Sequence, residues 1–147
     1  MSSRLFLRLR EELGLAYEVS SFFPTHWLSS EWVIYLGLPP EKLPLARKEL
    51  EKILEALVHR APRREEVQQA IAMIKGSFLM EQQTRRRQAW YTAWWEFLGK
   101  GHDYNKHFLG AIERITPNQV GTLARRLLKQ PRVTVEVVPQ GRHGKEK

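Results

Sequence analysis

The chain has 147 residues, 24 Lys and Arg against 16 Asp and Glu, and a formal net charge of +8. A chain of this length favours one domain and can bury a core without a disulfide or metal staple. Its 42% hydrophobic and 27% charged residues exclude a disordered or collagen-like polymer, and the absence of cysteine excludes thiol catalysis and Cys-ligated zinc.

Ser3 to Leu13 reads as a helix, with Leu5, Phe6, Leu9 and Leu13 at helical spacing and Gly14 as its stop. Leu15 to Phe23 follows as a strand, Leu15, Tyr17 and Val19 alternating with Ala16, Glu18 and Ser20. Pro24 to Ser30 reads as a turn. Glu31 to Leu38 is a second strand, whose run from Trp32 to Leu38 suggests burial on both faces. That run is the longest apolar one and far shorter than the ~20 residues of a membrane-spanning helix. Pro39 and Pro40 close the strand and open a helix. Leu50, Ile53, Leu54 and Leu57 then form one apolar stripe, and Val67, Ile71, Ile74 and Phe78 form another. A third helix of this group spans about Gln88 to Leu98, and a fourth runs from Asp103, read as its cap, to Ile115. Thr116-Pro117-Asn118-Gln119 marks the clearest start, with Val120, Leu123, Ala124 and Leu127 as the buried face behind it. Val133, Val135 and Val137 alternate with Thr134 and Glu136 in a last strand.

The expected class is α+β: a small, mostly antiparallel sheet of about three strands packed by five to six helices. The domain is expected over residues 1–139, with 140–147 a disordered basic tail. Three strands are few for so many helices and leave edges to be covered. Strands are therefore expected from another segment or another chain, and the exposed edge allows a homo-oligomer. Met1 to Phe6 shows no signal-peptide pattern, so a soluble chain without a membrane partner is expected, with the cytoplasm favoured.

No pair of the five histidines has the spacing by which a helix presents two imidazoles to zinc, and there is no nucleophile elbow or phosphate-binding glycine loop. Taken alone, the chain has no catalytic centre. Arg85-Arg86-Arg87 beside Trp90, Tyr91, Trp94 and Trp95 could bind single-stranded nucleic acid. However, Trp90, Trp94, Phe97 and Leu98 share one helical arc, which reads as a core face with a solvated basic shoulder. Arg10 lies in the last turn of the first helix and Tyr17 on the outgoing strand. A guanidinium fork and a phenol at one corner could hold a peptide carbonyl. On residue chemistry alone, the ordinary reading pairs Arg10 with a nearby glutamate and puts Tyr17 in the core.

From Ser3-Arg4-Leu5-Phe6 through Leu9-Arg10-Glu11-Glu12 to Gly14-Leu15-Ala16-Tyr17, the sequence resembles the insulinase, pitrilysin and mitochondrial processing peptidase family of zinc metallopeptidases. It resembles the C-terminal-type domain, not the zinc-binding one. Trp32 to Glu41, Glu65 to Leu79, Ile115 to Leu128 and Val133 to Pro139 continue the likeness in order. The resemblance implies an incomplete half of the family's α/β sandwich domain, lacking about its first third. It implies a non-catalytic half-domain facing a zinc domain with an H-x-x-E-H motif, and a peptide substrate. Arg10 and Tyr17 match the family's substrate-contacting pair. No cofactor is implied in this chain; zinc would reside in the partner domain. The same fold also serves assembly proteins without activity, so an inert interaction protein is the alternative, with a basic nucleic-acid binder behind it.

Overall fold

A computed structural model describes residues 3–24 and 30–139. The chain is α+β, with six helices and a two-stranded antiparallel sheet among these residues. The expected turn over Pro24 to Ser30 falls mainly on residues 25–29, which lie outside the described residues, as does the expected tail over 140–147.

Helix α1 starts at Arg4–Phe6, where the Ser3 hydroxyl accepts the Phe6 N–H at 3.2 Å, and continues as a π-helical segment, Leu7–Glu12. Gly14 ends it at φ +55°, a conformation that costs glycine little. Strand β1 is Glu18–Phe22 and β2 is Val33–Gly37, with Glu18 opposite Gly37 and Phe22 opposite Val33. A 3₁₀ turn over Pro40–Lys42 leads into α2, Leu43–His59. Helices α3 (Arg64–Glu81), α4 (Arg85–Phe97), α5 (Asn105–Glu113) and α6 (Pro117–Leu128) follow. The start of α6 is the expected one: Thr116 Oγ1 accepts the Gln119 N–H at 3.3 Å, and Gln119 Oε1 accepts the Thr116 N–H at 2.8 Å.

The core joins α1, the sheet and α2. Leu9 is fully buried among Leu5, Leu15 and Ala46, with Val19, Ile34, Leu36, Leu50 and Ile53 packed around them. Ile34 and Leu36 share the face of β2 that packs on the core, and Leu38 follows just beyond the strand; Tyr35, on the other face, is 46% exposed. The expectation of a strand buried on both sides is therefore corrected. Glu49 enters this core as its one buried charged side chain among the described residues. Lys52 and the Arg8 guanidinium both donate to it, and they hold its carboxyl below the usual carboxylate range.

A second cluster joins α3, α4 and α5. Phe78 meets Phe108 at 4.6 Å and Tyr91 at 5.5 Å, and Trp95 meets Phe108 at 5.5 Å and Tyr104 at 5.0 Å. The rings of α4 that meet α3 and α5 are thus Tyr91 and Trp95; of the expected arc, Trp90 and Phe97 are exposed, and Trp94 and Leu98 are partly buried. The physical reason is that Tyr91 and Trp95 find partners for their polar ends: Tyr91 donates to Glu81, and Trp95 Nε1 donates to Asn105 Oδ1 at 2.6 Å. Burial and the Glu81 carboxylate push the Tyr91 phenol up to about 12. Trp90, Trp94 and Phe97 stack as a row, exposed at its two ends, with centroids 5.6 and 5.7 Å apart.

Three smaller expectations are also corrected. Helix α5 begins after Tyr104, one residue beyond the start implied by an Asp103 cap. Leu123 is 46% exposed, while Gly121 and Ala124 form the buried face of α6. The expected third strand is absent: residues 131–139 join no sheet among the described residues. Two ion pairs to α2 hold this stretch instead, Arg132 to Glu51 at 3.0 Å and Arg47 to Glu136 at 3.3 Å.

Candidate functional site

The corner between α1 and β1 is built by backbone bonds that the π-helical winding makes possible. The Leu13 N–H donates to Arg8 O at 3.2 Å and the Gly14 N–H to Arg10 O at 3.1 Å. The Leu9 carbonyl then accepts twice, from Leu15 at 2.8 Å and Ala16 at 3.2 Å. Leu15 and Ala16 are buried, so the chain turns sharply over the end of its own helix. Lys42 closes the corner from outside by donating its ammonium to Gly14 O at 2.7 Å.

Arg10 and Tyr17 stand on either side of this turn, and both face solvent. The Arg10 guanidinium lies over the Phe6 ring, 5.1 Å from its centroid. Such a contact is worth about 0.5–1 kcal/mol at an exposed site and leaves the donor fork free. Tyr17 is 66% exposed. Its N–H donates to Gly37 O at 2.9 Å, and its ring covers Gly37 so closely that a Cβ there would sit 2.7 Å from Cε2. Among the described residues, neither side chain makes a hydrogen bond or ion pair, and no bond joins the two. Glu12, two residues after Arg10, pairs with Arg8 at 2.8 Å instead. The ordinary reading of a paired arginine and a core tyrosine therefore does not hold. Two polar groups stand unengaged on a corner fixed by the buried core.

Sequence reasoning did not single out Gly37 and Lys42, which complete this corner. Gly37 was detectable: a glycine inside an aromatic and β-branched strand marks a close approach. Lys42 sits just ahead of α2, where the helix dipole disfavours a cation, and that placement hints at another role.

No group of three or more His, Asp or Glu comes together as a metal would require among the described residues. His102 and His107 lie apart, each near one carboxylate, at 3.8 Å from Glu96 and 4.0 Å from Asp103. No described helix is long and apolar enough to cross a membrane.

The fold is α+β, and its α1–β1 corner presents Arg10 and Tyr17 to solvent. A family model described as the Peptidase M16 inactive domain matches residues 1–74, half of the chain. The chain belongs to the M16 peptidase family, as an inactive-type domain. It is similar to an uncharacterized zinc protease of Rickettsia bellii, 35% identical over 83 residues, and to one of Rickettsia felis, 37% identical over 83 residues. Each of these matches covers 56% of this chain and 20% of the relative. The uncharacterized zinc protease YmxG of Bacillus subtilis is 25% identical over 141 residues, 96% of this chain and 34% of the relative. The chain thus spans a fifth to a third of the length of these curated relatives.

Proposed function

We propose that this chain is the substrate-binding, non-catalytic half of a zinc peptidase of its family, and that Arg10 and Tyr17 are the residues it presents to the peptide. The observation that carries this is the unengaged pair itself. A guanidinium and a phenol are held on a corner fixed by the core, and Glu12 is engaged by Arg8 and not by Arg10. Arg10 offers a planar fork of donors for a peptide carbonyl or a carboxylate. Tyr17 offers one hydroxyl and a ring face. Held by the turn, the two restrict how an extended peptide lies across the corner, which is a positioning role. Among the described residues no group of side chains comes together as a metal would require, and this reading assigns zinc and hydrolysis to a partner domain of the family bearing H-x-x-E-H.

The test is hydrolysis of a quenched fluorescent peptide by this chain mixed with a zinc-bearing chain of the same family. The wild-type mixture is expected to cleave, and neither component alone to match it. Arg10→Ala combined with Tyr17→Phe is expected to reduce kcat/KM about 10- to 100-fold, the range for losing one or two hydrogen bonds to a charged group. Circular dichroism should be unchanged, since both side chains face solvent. An unchanged rate in the double variant would reject the role of the pair.

One observation favours a second reading, an inert assembly protein. Trp90 and Phe97 are 48% and 52% exposed and continue, through Trp94, as a stacked row on a helix with no buried residue. Such a surface suits a protein partner. The same mixture decides: binding without any change in hydrolysis supports assembly.

A further inference from the structure

Glu49 is the one charged side chain buried among the described residues, and it lies where packing asks for an apolar group. It shares a stripe of α2 with Ala46 and Ile53, and that stripe packs on α1 around Leu9. A buried carboxylate adds little stability beyond an apolar side chain of similar volume, because its desolvation offsets its pairing. What it does, and a leucine there would not, is fix the direction of a donor.

That donor is Arg8, in the π-helical segment Leu7–Glu12. Its guanidinium donates through Nε at 3.1 Å and Nη2 at 3.0 Å to one oxygen of Glu49, and through Nη1 to Glu12 Oε2 at 2.8 Å. Lys52 donates to the other Glu49 oxygen. The Arg8 carbonyl in turn accepts the Leu13 N–H at 3.2 Å, the five-residue bond that makes the turn wide. Arg8 therefore carries that bond on its backbone, while its side chain ties the far end of the turn to a buried point of α2. Arg10 lies midway between Arg8 and Glu12 in the chain. The winding between them sets its direction, since among the described residues its own guanidinium has only the Phe6 ring to rest on.

We propose that Glu49 is a positioning residue for Arg10: through the fork of Arg8 it keeps the π-helical turn wide, and so sets where the Arg10 guanidinium stands on the corner that carries Tyr17. A single π turn is a rare conformation, with the regular α-helix as its ready alternative. Without the fork the turn tightens and Arg10 moves around the helix axis. A lysine does not replace the fork, because an ammonium is a point charge and does not hold two carboxylates in a fixed geometry. The inference rests on the peptide-binding reading for its effect on hydrolysis, while its effect on Arg10 itself is measured apart from that reading.

The experiment compares two variants of the full chain. Glu49→Leu fills the apolar stripe, and Arg8 and Lys52, both partly exposed, turn to water, so the fold is expected to hold. Arg8→Lys keeps the charge, loses the fork and serves equally if the leucine variant does not fold. One readout is the NMR signal of the Arg10 Nε–H, which the Phe6 ring shifts upfield; another is exchange of the Leu13 amide. Each variant is expected to move the Arg10 signal toward that of a free arginine and to speed Leu13 exchange. Mixed with the zinc-bearing chain, each should lower kcat/KM about 10-fold when Arg10 is present. With Arg10→Ala already in place, the further loss should be less than about twofold. Folded variants with an unmoved Arg10 signal and unchanged Leu13 exchange would overturn the proposal. So would an equal loss of hydrolysis with and without Arg10, which marks a general loosening of structure. If Arg10→Ala alone leaves hydrolysis unchanged, the peptide-binding reading fails instead, and the Arg10 signal decides on the positioning.

Discussion

Leu9 is the one large side chain fully buried among the described residues, and its carbonyl accepts both bonds that turn the chain into β1. Packing and corner geometry therefore meet in one residue. Leu9→Ala is expected to cost about 2–5 kcal/mol of stability, as large cavities in closed cores do. Urea unfolding followed by circular dichroism measures it. The same variant should lower peptide binding by any folded fraction, because the turn that carries Tyr17 loses its seat. By contrast, Arg10 and Tyr17 carry little of the fold, since each rests its apolar part on one neighbour and extends its polar part into water. This separation makes their double variant an interpretable test of binding.

At the scale of elements, glycine at position 14 is a backbone requirement only. Its φ of +55° is unfavourable for any residue with a Cβ, while nothing lies within 4 Å of where a Cβ would be. Gly14→Ala should therefore cost about 1–2 kcal/mol through conformation alone, read as a lowered midpoint without a changed slope in urea. The elements with strong local signals were legible in the sequence. Gly14 as a stop, the Thr116 to Gln119 capping box and the stripe from Leu50 to Leu57 all appear where the residue pattern puts them. The elements whose outcome depends on a neighbour were not. The valines at 133, 135 and 137 alternate correctly for a strand, but a strand exists only when a second backbone supplies its bonds. The spacing of Trp90, Trp94 and Phe97 is that of a buried face. Which arc of α4 turns inward, however, was decided by Glu81 and Asn105 on other elements, to which the periodicity is blind. At the candidate site, the positions of Arg10 and Tyr17 followed from the helix, glycine and strand order. Their freedom from partners did not, because it depends on contacts the order of residues does not carry, such as Arg8 engaging Glu12.

The whole molecule is two clusters, one aliphatic around Leu9 and one aromatic around Phe78, and a charged clasp crosses between them. Arg4 donates through Nε and Nη2 to both oxygens of Glu66, at 2.7 and 2.9 Å. The Arg4 guanidinium first, and the Arg63 N–H at 2.7 Å second, hold the Glu66 carboxyl at about 2, against an ordinary value of 4.5. The lowered value fixes the sign of the pH dependence. As pH falls, the unfolded chain takes up the proton first, so the contribution of Glu66 is complete above 4.5 and is lost between 4.5 and about 2. Glu49 and Glu113, also held low by cations, add to the background in that range. Glu66→Gln should remove part of the acid slope and leave the rest, and tryptophan fluorescence over pH 2–6 resolves it because all three indoles of α4 belong to the aromatic side.

The π-helical winding of Leu7–Glu12 has a consequence for how this corner can vary. Each wide turn houses one more residue than an α-helical turn would, so the separation of Arg10 from Tyr17 is a fixed count of residues wound at a fixed pitch. Residues 11 and 12 are exposed, and their identities can drift with little effect on where the guanidinium and phenol emerge. Their number cannot drift. Losing one would let the segment relax to regular helix and swing Arg10 by about 100° around the axis, away from the strand. The corner is a ruler, tolerant of spelling and intolerant of length.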